Sequence, residues 1–236
     1  MKEEFNIEIK KDLKYFAGHS LGEYSALVAS GSLNFSDALI LLHERGKSMQ
    51  EAVPEGKGSM LAVMGLKLPE LNKYISEVKK EKGVCEVAND NSYSQIILSG
   101  DKSAIDEIST ILKNNKKKSI FLPVSAPFHC SLMAPAEERL ALDLNAASFV
   151  NPIVPLINNV AAEVVQTATA IRDGLRRQVC NPVRWEESIR HLILLGVDHF
   201  VEVGPGRVLT GLMRSIDRLQ NTSNVEDVKS LEKLTL

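Results

Sequence analysis

The sequence predicts an α/β fold in which a main domain with a largely parallel sheet is interrupted by a smaller βαββαβ module. Two observations predict it. Towards both ends of the chain, apolar segments of strand length alternate with longer helical segments, as in βα units. At about residues 57–125 the predicted order becomes strand, helix, strand, strand, helix and strand, the split βαβ pattern of ferredoxin-like modules. We therefore expect a core formed by residues 1–56 and 126–236, with a small subdomain at 57–125 inserted in it.

The first core segment contains one predicted strand and two predicted helices. The strand, at residues 13–17, runs directly into a glycine-containing turn. A helix follows at 20–30, and a second helix, over 37–53, can be capped by Asn34 or Ser36. This strand–turn–helix order is the first βα unit of the predicted core.

The remaining elements follow from apolar periodicity and from turn residues. The middle module is predicted to contain a strand at 60–66, a helix at 69–81, strands at 83–89 and 94–100, a helix at 101–118 and a strand at 119–125. The second core segment is predicted to contain a helix at 132–145, a strand at 153–160, helices at 169–179 and 185–195, a strand at 199–203 and a last helix at 207–216.

Composition and charge indicate a soluble globular protein and exclude several function classes. Apolar residues make up 44% and charged residues 25%, and the net charge of -2 gives no general attraction to nucleic acid or to an anionic membrane. No apolar run approaches the roughly 20 residues that a membrane span needs. Cys85, Cys130 and Cys180 are widely spaced, which argues against a disulfide framework or a CxxC metal site and fits a reducing compartment. We expect a cytoplasmic protein with no metal and no cofactor.

The stretch FAGHSLGEY places Ser20 between Gly18 and Gly22, where a predicted strand meets a predicted helix. This arrangement matches the nucleophile elbow, in which a serine stands on a tight turn and glycines let neighbouring backbone approach closely. The backbone N–H of Leu21 would then point towards an oxyanion formed on the substrate. The alternative interpretation is a glycine-rich βα turn whose serine only caps the helix.

A catalytic serine needs a base, and His129 is the best candidate by position. It follows the strand predicted at 119–125 and the tripeptide Ala-Pro-Phe, so it is expected on a loop at a strand end, where functional residues concentrate. The alternative is a structural histidine. The other histidines lie beside the serine, within predicted helices or at a strand start: His19, His43, His191 and His199.

Arg45 has an unusual position on the helix predicted at 37–53. It shares one face with apolar side chains such as Leu42 and Met49, where an unpaired guanidinium is costly. One interpretation is an internal salt bridge with a carboxylate such as Glu23 or Glu44. The other is a clamp for a substrate carboxylate, which suits the forked guanidinium. The spacing does not choose between them.

Six segments that occur in order across residues 13–216 carry a resemblance to a known family: AGHSLGEYSALVASG, HERGKSMQEAVPEGKGSML, LPVSAPFHCSLM, VPLINNV, RRQVCNPVRWEESI and VEVGPGRVLTGL. Together they resemble the malonyl-CoA:acyl-carrier-protein transacylases. The resemblance implies an α/β-hydrolase-like parallel-sheet core with an inserted ferredoxin-like (βαββαβ) subdomain. It also implies transfer of a malonyl group from malonyl-CoA to the phosphopantetheine thiol of acyl carrier protein, through a malonyl-serine, in fatty acid biosynthesis.

The same resemblance assigns roles to five residues. It implies that Ser20 is the acylated nucleophile and that His129 is the general base and then the general acid. Arg45 would bind the malonyl carboxylate, and the Leu21 amide would contribute to the oxyanion hole. The histidine would be oriented by a backbone carbonyl, at the position of Gln178, in place of an aspartate.

The sequence departs from the family at its start. Members begin with a strand and a GQGSQ-type loop, which supplies a second oxyanion-hole amide, and the residues before the elbow contain no such loop. We expect an N-terminally truncated member, either impaired in catalysis or completed by a separate N-terminal fragment. The stronger rival interpretation is a non-catalytic remnant or binding module. The others are a serine esterase or hydrolase, which shares the elbow, and a nucleotide-binding enzyme, which would depend on Gly204-Pro205-Gly206 alone.

Overall fold

The chain folds as an α/β protein with several small sheets, and this computed structural model describes residues 8–234. The helices are α1 (Ile9–Asp12), α2 (Leu21–Ala29), α3 (Phe35–Glu51), α4 (Leu68–Glu77), α5 (Lys102–Asn114), α6 (Ala134–Ala146), α7 (Ala168–Gln178), α8 (Trp185–Leu194), α9 (Val208–Ile216) and α10 (Val228–Glu232), with short 3-10 helices at Lys80–Lys82 and Ser131–Met133. The strands are β1 (Gly58–Met64), β2 (Cys85–Ser92), β3 (Gln95–Asp101), β4 (Lys118–Phe121), β5 (Leu156–Ile157), β6 (Val164–Val165), β7 (His199–Val203) and β8 (Asn221–Val225). Residues 1–7 and 235–236, at the outer ends of the two predicted core segments, lie outside the described residues.

The middle of the chain forms an antiparallel sheet of four strands in the order β2-β3-β1-β4. The long pairing of β1 with β3 runs from Gly58 opposite Asp101 to Met64 opposite Gln95. One apolar cluster joins this sheet to α4 and α5, and it includes the fully buried Leu61, Leu71, Leu98, Ile105 and Ile108. The module therefore has its own core.

The largely parallel core sheet predicted from the alternating pattern is not a continuous sheet within residues 8–234. Parallel pairing there is limited to β7 with β8 and to isolated bridges that join Phe16 to Leu156 and Asn89 to Val183. The pair β5 and β6 is antiparallel. The core is consequently a mixed set of short pairings.

The strand predicted at 13–17 is one bridge rather than a strand. The Phe16 N–H donates to the Pro155 carbonyl at 2.9 Å, and the Ile157 N–H donates to the Phe16 carbonyl at 2.9 Å. The pairing is limited to this one bridge, which lies between the end of α1 at Asp12 and the start of α2 at Leu21. This short segment nevertheless delivers the chain to the elbow.

Prolines explain why two other strands are shorter than predicted. β4 ends at Phe121, two residues before Pro123, and β5 begins at Leu156, directly after Pro155. Proline has no N–H to donate to a ladder, so it limits a strand or stands at its start. The apolar patterns at 119–125 and 153–160 therefore overestimate the strand lengths.

The helix predicted at 207–216 is present as α9, but it is not the last element. A polar strand, β8, follows and pairs in parallel with β7 over five residues, and α10 comes after it. The sequence Asn-Thr-Ser-Asn-Val of β8 lacks apolar alternation, so only its partner strand identifies it. α10 begins with a capping box between Asp227 and Ser230.

The main apolar cluster lies among α2, α3, α6 and α7, and a further cluster surrounds α8 and α9. Between residues 8 and 234, no helix combines the length and apolar character required to cross a membrane. The same part of the chain brings no three His, Cys, Asp or Glu side chains together in a way that could hold a metal ion.

Candidate active site

Ser20 stands in a strained turn at the start of α2. Its φ of 50° and ψ of -106° lie outside the ordinary regions for an L-residue, and its side chain makes no capping hydrogen bond. A side chain at Gly18 would overlap the carbonyl group of Gly22, so the tight turn requires glycine at 18. At Gly22 an added Cβ would have no neighbour within 4 Å, so packing does not require glycine at position 22. Ser20 therefore does not act as a helix cap, which was the alternative interpretation of the sequence.

The structure brings His129 to Ser20. The Ser20 Oγ lies 2.8 Å from His129 Nε2, and His129 Nδ1 lies 2.8 Å from the backbone carbonyl oxygen of Gln178. A carbonyl oxygen only accepts, so Nδ1 carries the proton and neutral Nε2 is free to accept from the serine hydroxyl. The pair thus has the arrangement of a nucleophile and its base.

His129 is held in this place by backbone geometry and by burial. Its φ is 59°, in the left-handed region, and its side chain is buried in the loop between β4 and the 3-10 helix Ser131–Met133. Burial, and then the positive charge of Arg45, lower the pKa of the imidazole to about 3. The free site therefore keeps His129 neutral and able to accept a proton.

Arg45 is a buried cation that pairs with no carboxylate between residues 8 and 234. Its Nη2 donates to Ser20 Oγ at 2.8 Å and to the Gln178 side-chain Oε1 at 3.0 Å, and both acceptors are neutral. Glu44, one candidate partner, instead pairs with Arg139. Glu23, the other candidate, forms no ion pair among the described residues, and its charge acts on Arg45 only at longer range. The described contacts therefore do not contain the internal salt bridge that the apolar face also allowed, and a cation faces the serine.

Asn159 forms two hydrogen bonds with the backbone of the elbow. Its Oδ1 accepts from the Ser20 N–H at 2.7 Å, and its Nδ2 donates to the Gly18 carbonyl at 2.7 Å. Gln178 adds a third contact, because its Nε2 donates to the Ser20 carbonyl at 3.1 Å. Hydrogen bonds consequently fix the backbone on both sides of Ser20: the Gly18 carbonyl, the Ser20 N–H and the Ser20 carbonyl.

The other predicted groups have these positions. Leu21 begins α2, is 54% exposed, and its amide has no acceptor among the hydrogen bonds of the described residues. His19 turns away from the serine: its Nε2 donates to Asn91 Oδ1 at 2.7 Å, and its ring lies 5.4 Å from that of Trp185. The side chains of His19 and Ser20 therefore diverge in the tight turn.

The loop Gly204-Pro205-Gly206 is a βα turn whose amides are already engaged. Glu202 accepts from the backbone N–H groups of Leu209 and Thr210, at 3.0 and 2.7 Å. Glu226 accepts from the Gly206 N–H at 3.1 Å. Carboxylates of the chain itself thus occupy the positions that a bound phosphate would need at this helix start.

Comparison with known proteins agrees with the site geometry, because the matching proteins are acyl transferases. The acyl transferase domain family matches residues 12–235. The chain belongs to this family. It is similar to the malonyl CoA-acyl carrier protein transacylase of Salmonella typhimurium, with 47% identity over 201 residues, which are 85% of this chain and 65% of that protein. The chain therefore spans about two thirds of the length of this relative.

Solved structures of malonyltransferases have the same fold as this chain. The acyl-carrier-protein-S-malonyltransferase of Bartonella henselae superposes with a TM-score of 0.94 at 38% identity, covering 98% of this chain and 74% of that one. A malonyl-transacylase solved in complex with a type II PKS acyl-carrier protein gives a TM-score of 0.91 at 42% identity, covering 94% and 72%. Both likenesses support membership of the malonyl-CoA:acyl-carrier-protein transacylases within the acyl transferases.

Sequence reasoning assigned no site role to Asn159 or to the side chain of Gln178 in this acyl transferase. A signal for Asn159 was present, because two asparagines directly follow the apolar run of β5, and polar residues at strand ends often belong to sites. For the Gln178 side chain no local signal exists, since its partners Ser20, Glu23 and Arg45 lie far away along the chain.

The buried imidazole of this acyl transferase should make its stability depend on pH. The folded-state pKa of His129 is about 3 and the usual value is 6.5, so between them the unfolded chain binds the proton that the folded chain excludes. Stability from this residue is complete above 6.5 and is lost as pH falls towards 3. As pH increases from about 3 to 6.5, we expect the free energy of unfolding of wild type, relative to that of His129→Gln, to increase by up to about 1.4 kcal/mol per pH unit. Urea unfolding at several pH values measures it.

Glu23→Gln is the matched control, because its effect has the opposite sign. Burial raises the pKa of the Glu23 carboxyl from 4.5 to about 7, so its contribution is present below 4.5 and is lost as pH rises through 7. Wild type should therefore lose stability relative to Glu23→Gln over that range. The same slope in both comparisons would contradict the assigned environments.

Proposed function

We propose that this chain transfers a malonyl group from malonyl-CoA to the phosphopantetheine thiol of acyl carrier protein, in fatty acid biosynthesis. The observation that carries the proposal is the position of the Ser20 hydroxyl, whose Oγ lies 2.8 Å from both His129 Nε2 and Arg45 Nη2. A nucleophile, a base and an anion-binding group converge there. The relatives that carry this activity by name support it.

In the first half-reaction, Ser20 Oγ attacks the thioester carbonyl carbon of malonyl-CoA while its proton passes to His129 Nε2. The negative charge on the carbonyl oxygen is stabilised by the Leu21 amide, which has no other acceptor among the described hydrogen bonds. The C–S bond then breaks, and the imidazolium returns the proton to the CoA thiolate. The products are a malonyl ester of Ser20 and free CoA.

In the second half-reaction, the thiol of acyl carrier protein gives its proton to His129, and the sulfur attacks the serine ester. The C–O bond breaks, and Ser20 recovers the proton from the imidazolium. Gln178 supports both directions, because its carbonyl accepts from His129 Nδ1 whether the ring is neutral or charged. No other reactant is required.

Arg45 is proposed to bind the free carboxylate of the malonyl group. The guanidinium is buried, its Nε has no hydrogen-bond partner among the described residues, and its Nη2 donates to neutral oxygens only. A bound carboxylate would supply the missing countercharge. It would also offset the second cause of the low pKa of His129 and make the base stronger when substrate is present.

The test of this role is acyl selectivity in Arg45→Ala. We expect kcat/KM for malonyl-CoA to fall by about 10- to 100-fold, the value of charged hydrogen bonds, while acetyl transfer improves relative to it. Steady-state assays with both thioesters measure the ratio. Arg139→Ala is the control, because Arg139 is a half-exposed cation that pairs with Glu44 and Asp143. Unchanged discrimination in Arg45→Ala would reject the role.

We also propose the finer division of the fold: an α/β-hydrolase-like core at 1–56 and 126–236, with a ferredoxin-like subdomain at 57–125. The antiparallel order β2-β3-β1-β4, with α4 and α5 in one shared core, supports the subdomain. The tight turn at Ser20, between the bridge at Phe16 and the start of α2, supports the core. The free cysteines Cys85, Cys130 and Cys180 are consistent with the cytoplasm as the proposed location.

A further inference from the structure

Glu23 is a buried carboxyl group beside the elbow that the reaction steps above do not use. It lies in the first turn of α2 and is 1% exposed. Its Oε2 accepts from Gln178 Nε2 at 2.8 Å and from the backbone N–H of Asn159 at 3.2 Å. Among the ion pairs of the described residues none includes Glu23. Burying a carboxyl without a cation is expensive, so packing alone is a poor reason for this residue.

The two donors to Glu23 are the same residues that hold the backbone of Ser20. Asn159 Oδ1 accepts from the Ser20 N–H, and Gln178 Nε2 donates to the Ser20 carbonyl. A left-handed, non-glycine residue costs about 1–3 kcal/mol and persists only where its surroundings enforce it. Glu23 therefore holds both residues, Asn159 and Gln178, whose hydrogen bonds fix the strained backbone of Ser20.

Gln178 extends the influence of Glu23 to the other reacting groups. Its backbone carbonyl orients His129, and its side-chain Oε1 accepts from Arg45. A Gln178 side chain released by Glu23 would lose its fixed rotamer and with it the contacts to Ser20 and Arg45. Loss of the Glu23 carboxyl would thus loosen the serine and the arginine together.

We propose that Glu23 is a positioning residue for acyl transfer, which fixes Asn159 and Gln178 and through them the Ser20 nucleophile. The proposal rests on the proposed function. Glu23 contacts none of the reacting atoms itself. Its role requires an acceptor oxygen at the Oε2 position and does not require a negative charge, because both of its donors are neutral amides.

The chemistry of the group agrees with a role that needs no charge. Burial raises the pKa of the Glu23 carboxyl to about 7, so a large part of the population is neutral near pH 7. Two other charged or titratable groups interact electrostatically with Glu23. The charge of Arg45 lowers the pKa of Glu23, and the charge of Glu23 raises the pKa of Tyr24. Glutamine, which offers the same acceptor oxygen without a charge, should therefore replace it.

The experiment compares Glu23→Gln with Glu23→Leu in single-turnover acylation by malonyl-CoA, followed by mass spectrometry of Ser20. Glu23→Leu keeps a similar volume and removes the acceptor. The control is Glu202→Leu, which removes a carboxylate that holds backbone amides of α9 outside this network. Thermal unfolding of each variant separates lost folding from lost positioning.

We expect Glu23→Gln to acylate within about threefold of wild type. Glu23→Leu should lose about 10²-fold in maximal rate, with a smaller rise in the half-saturating malonyl-CoA concentration, because Arg45 loses only its contact with Gln178. Glu202→Leu should lower the unfolding temperature and leave the acylation rate within about threefold. A folded Glu23→Leu with wild-type rate overturns the proposal, and so does a folded Glu23→Gln as slow as Glu23→Leu.

If Glu23→Leu does not fold, Glu23→Asp decides instead. Its carboxyl is one methylene too short to reach both donors, so a loss of about tenfold or more is expected and a wild-type rate overturns the role. If wild type forms no malonyl-serine, the proposed function fails first. The positioning role is then judged by labelling Ser20 with an organophosphonate, which needs only the serine and His129. The same ranking of variants supports the role, and equal labelling of all variants rejects it.

Discussion

Ser20→Ala is expected to fold normally, to form no acyl-enzyme with malonyl-CoA, and to lose at least about 10⁴-fold in malonyl transfer. Loss on this scale follows from the proposed mechanism, in which both half-reactions pass through an ester on the Ser20 Oγ. No other hydroxyl shares its two partners, His129 and Arg45, in the described structure. Intact-protein mass spectrometry after exposure to malonyl-CoA, with a transfer assay using purified acyl carrier protein, measures both effects.

Ser30→Ala is the control for this prediction. Ser30 is a buried serine at the other end of α2, where its Oγ donates to the Leu27 carbonyl at 3.0 Å. Its removal should change stability by about 1 kcal/mol and leave the acyl-enzyme intact. A malonyl adduct on the Ser20→Ala chain, located by peptide mapping on another residue, would contradict the assignment. Rapid loss of the wild-type adduct to water would favour the esterase interpretation.

His129→Gln is expected to lower the acylation rate by about 10³- to 10⁴-fold without preventing malonyl-CoA binding. Glutamine can place an amide near Gln178, but it cannot accept the proton of the Ser20 hydroxyl and return it to the leaving thiol. Arg45, the proposed malonyl-binding cation, remains in place, so the half-saturating concentration should change far less than the maximal rate. Rapid-quench acylation at several malonyl-CoA concentrations separates the two constants.

The matched control is His191→Gln. His191 lies in α8, and its Nδ1 donates to the Ala162 carbonyl at 2.8 Å, outside the contacts of Ser20. Its substitution should leave the acylation rate within about threefold of wild type. If His129→Gln were equally mild, the hydrogen bond between Ser20 and His129 would be structural, and another base would have to be sought.

Local signals in the sequence were sufficient to predict features that depend only on residues nearby in the chain. The tight turn at Gly18 and the helix that begins after Ser20 both depend on backbone conformation within a few residues. For the next helix the sequence offered two caps, and the structure uses Asn34. The order of elements in the middle module was equally readable, because strands of apolar residues alternate there with amphipathic helices. Strand lengths were less readable, since Pro123 and Pro155 limit them through missing donors.

The core sheet shows why pairing could not be predicted from the same signals. The apolar run at 13–17 reads as a strand, yet Phe16 alone makes a bridge, because hydrogen bonding also depends on how a distant partner approaches. In the opposite sense, β8 has no apolar pattern and is a strand only because β7 lies beside it.

The sequence by itself determined the family and predicted the elbow at Ser20 with a short list of residues around it, because each of these is written in local patterns that keep their order along the chain. Only the tertiary structure decided that Arg45 faces the serine rather than a carboxylate, and that Asn159, Gln178 and Glu23 hold the elbow. The physical reason is that a buried polar group must find its partners, and here those partners come from α2, α3, α7 and the end of β5, which no local pattern connects.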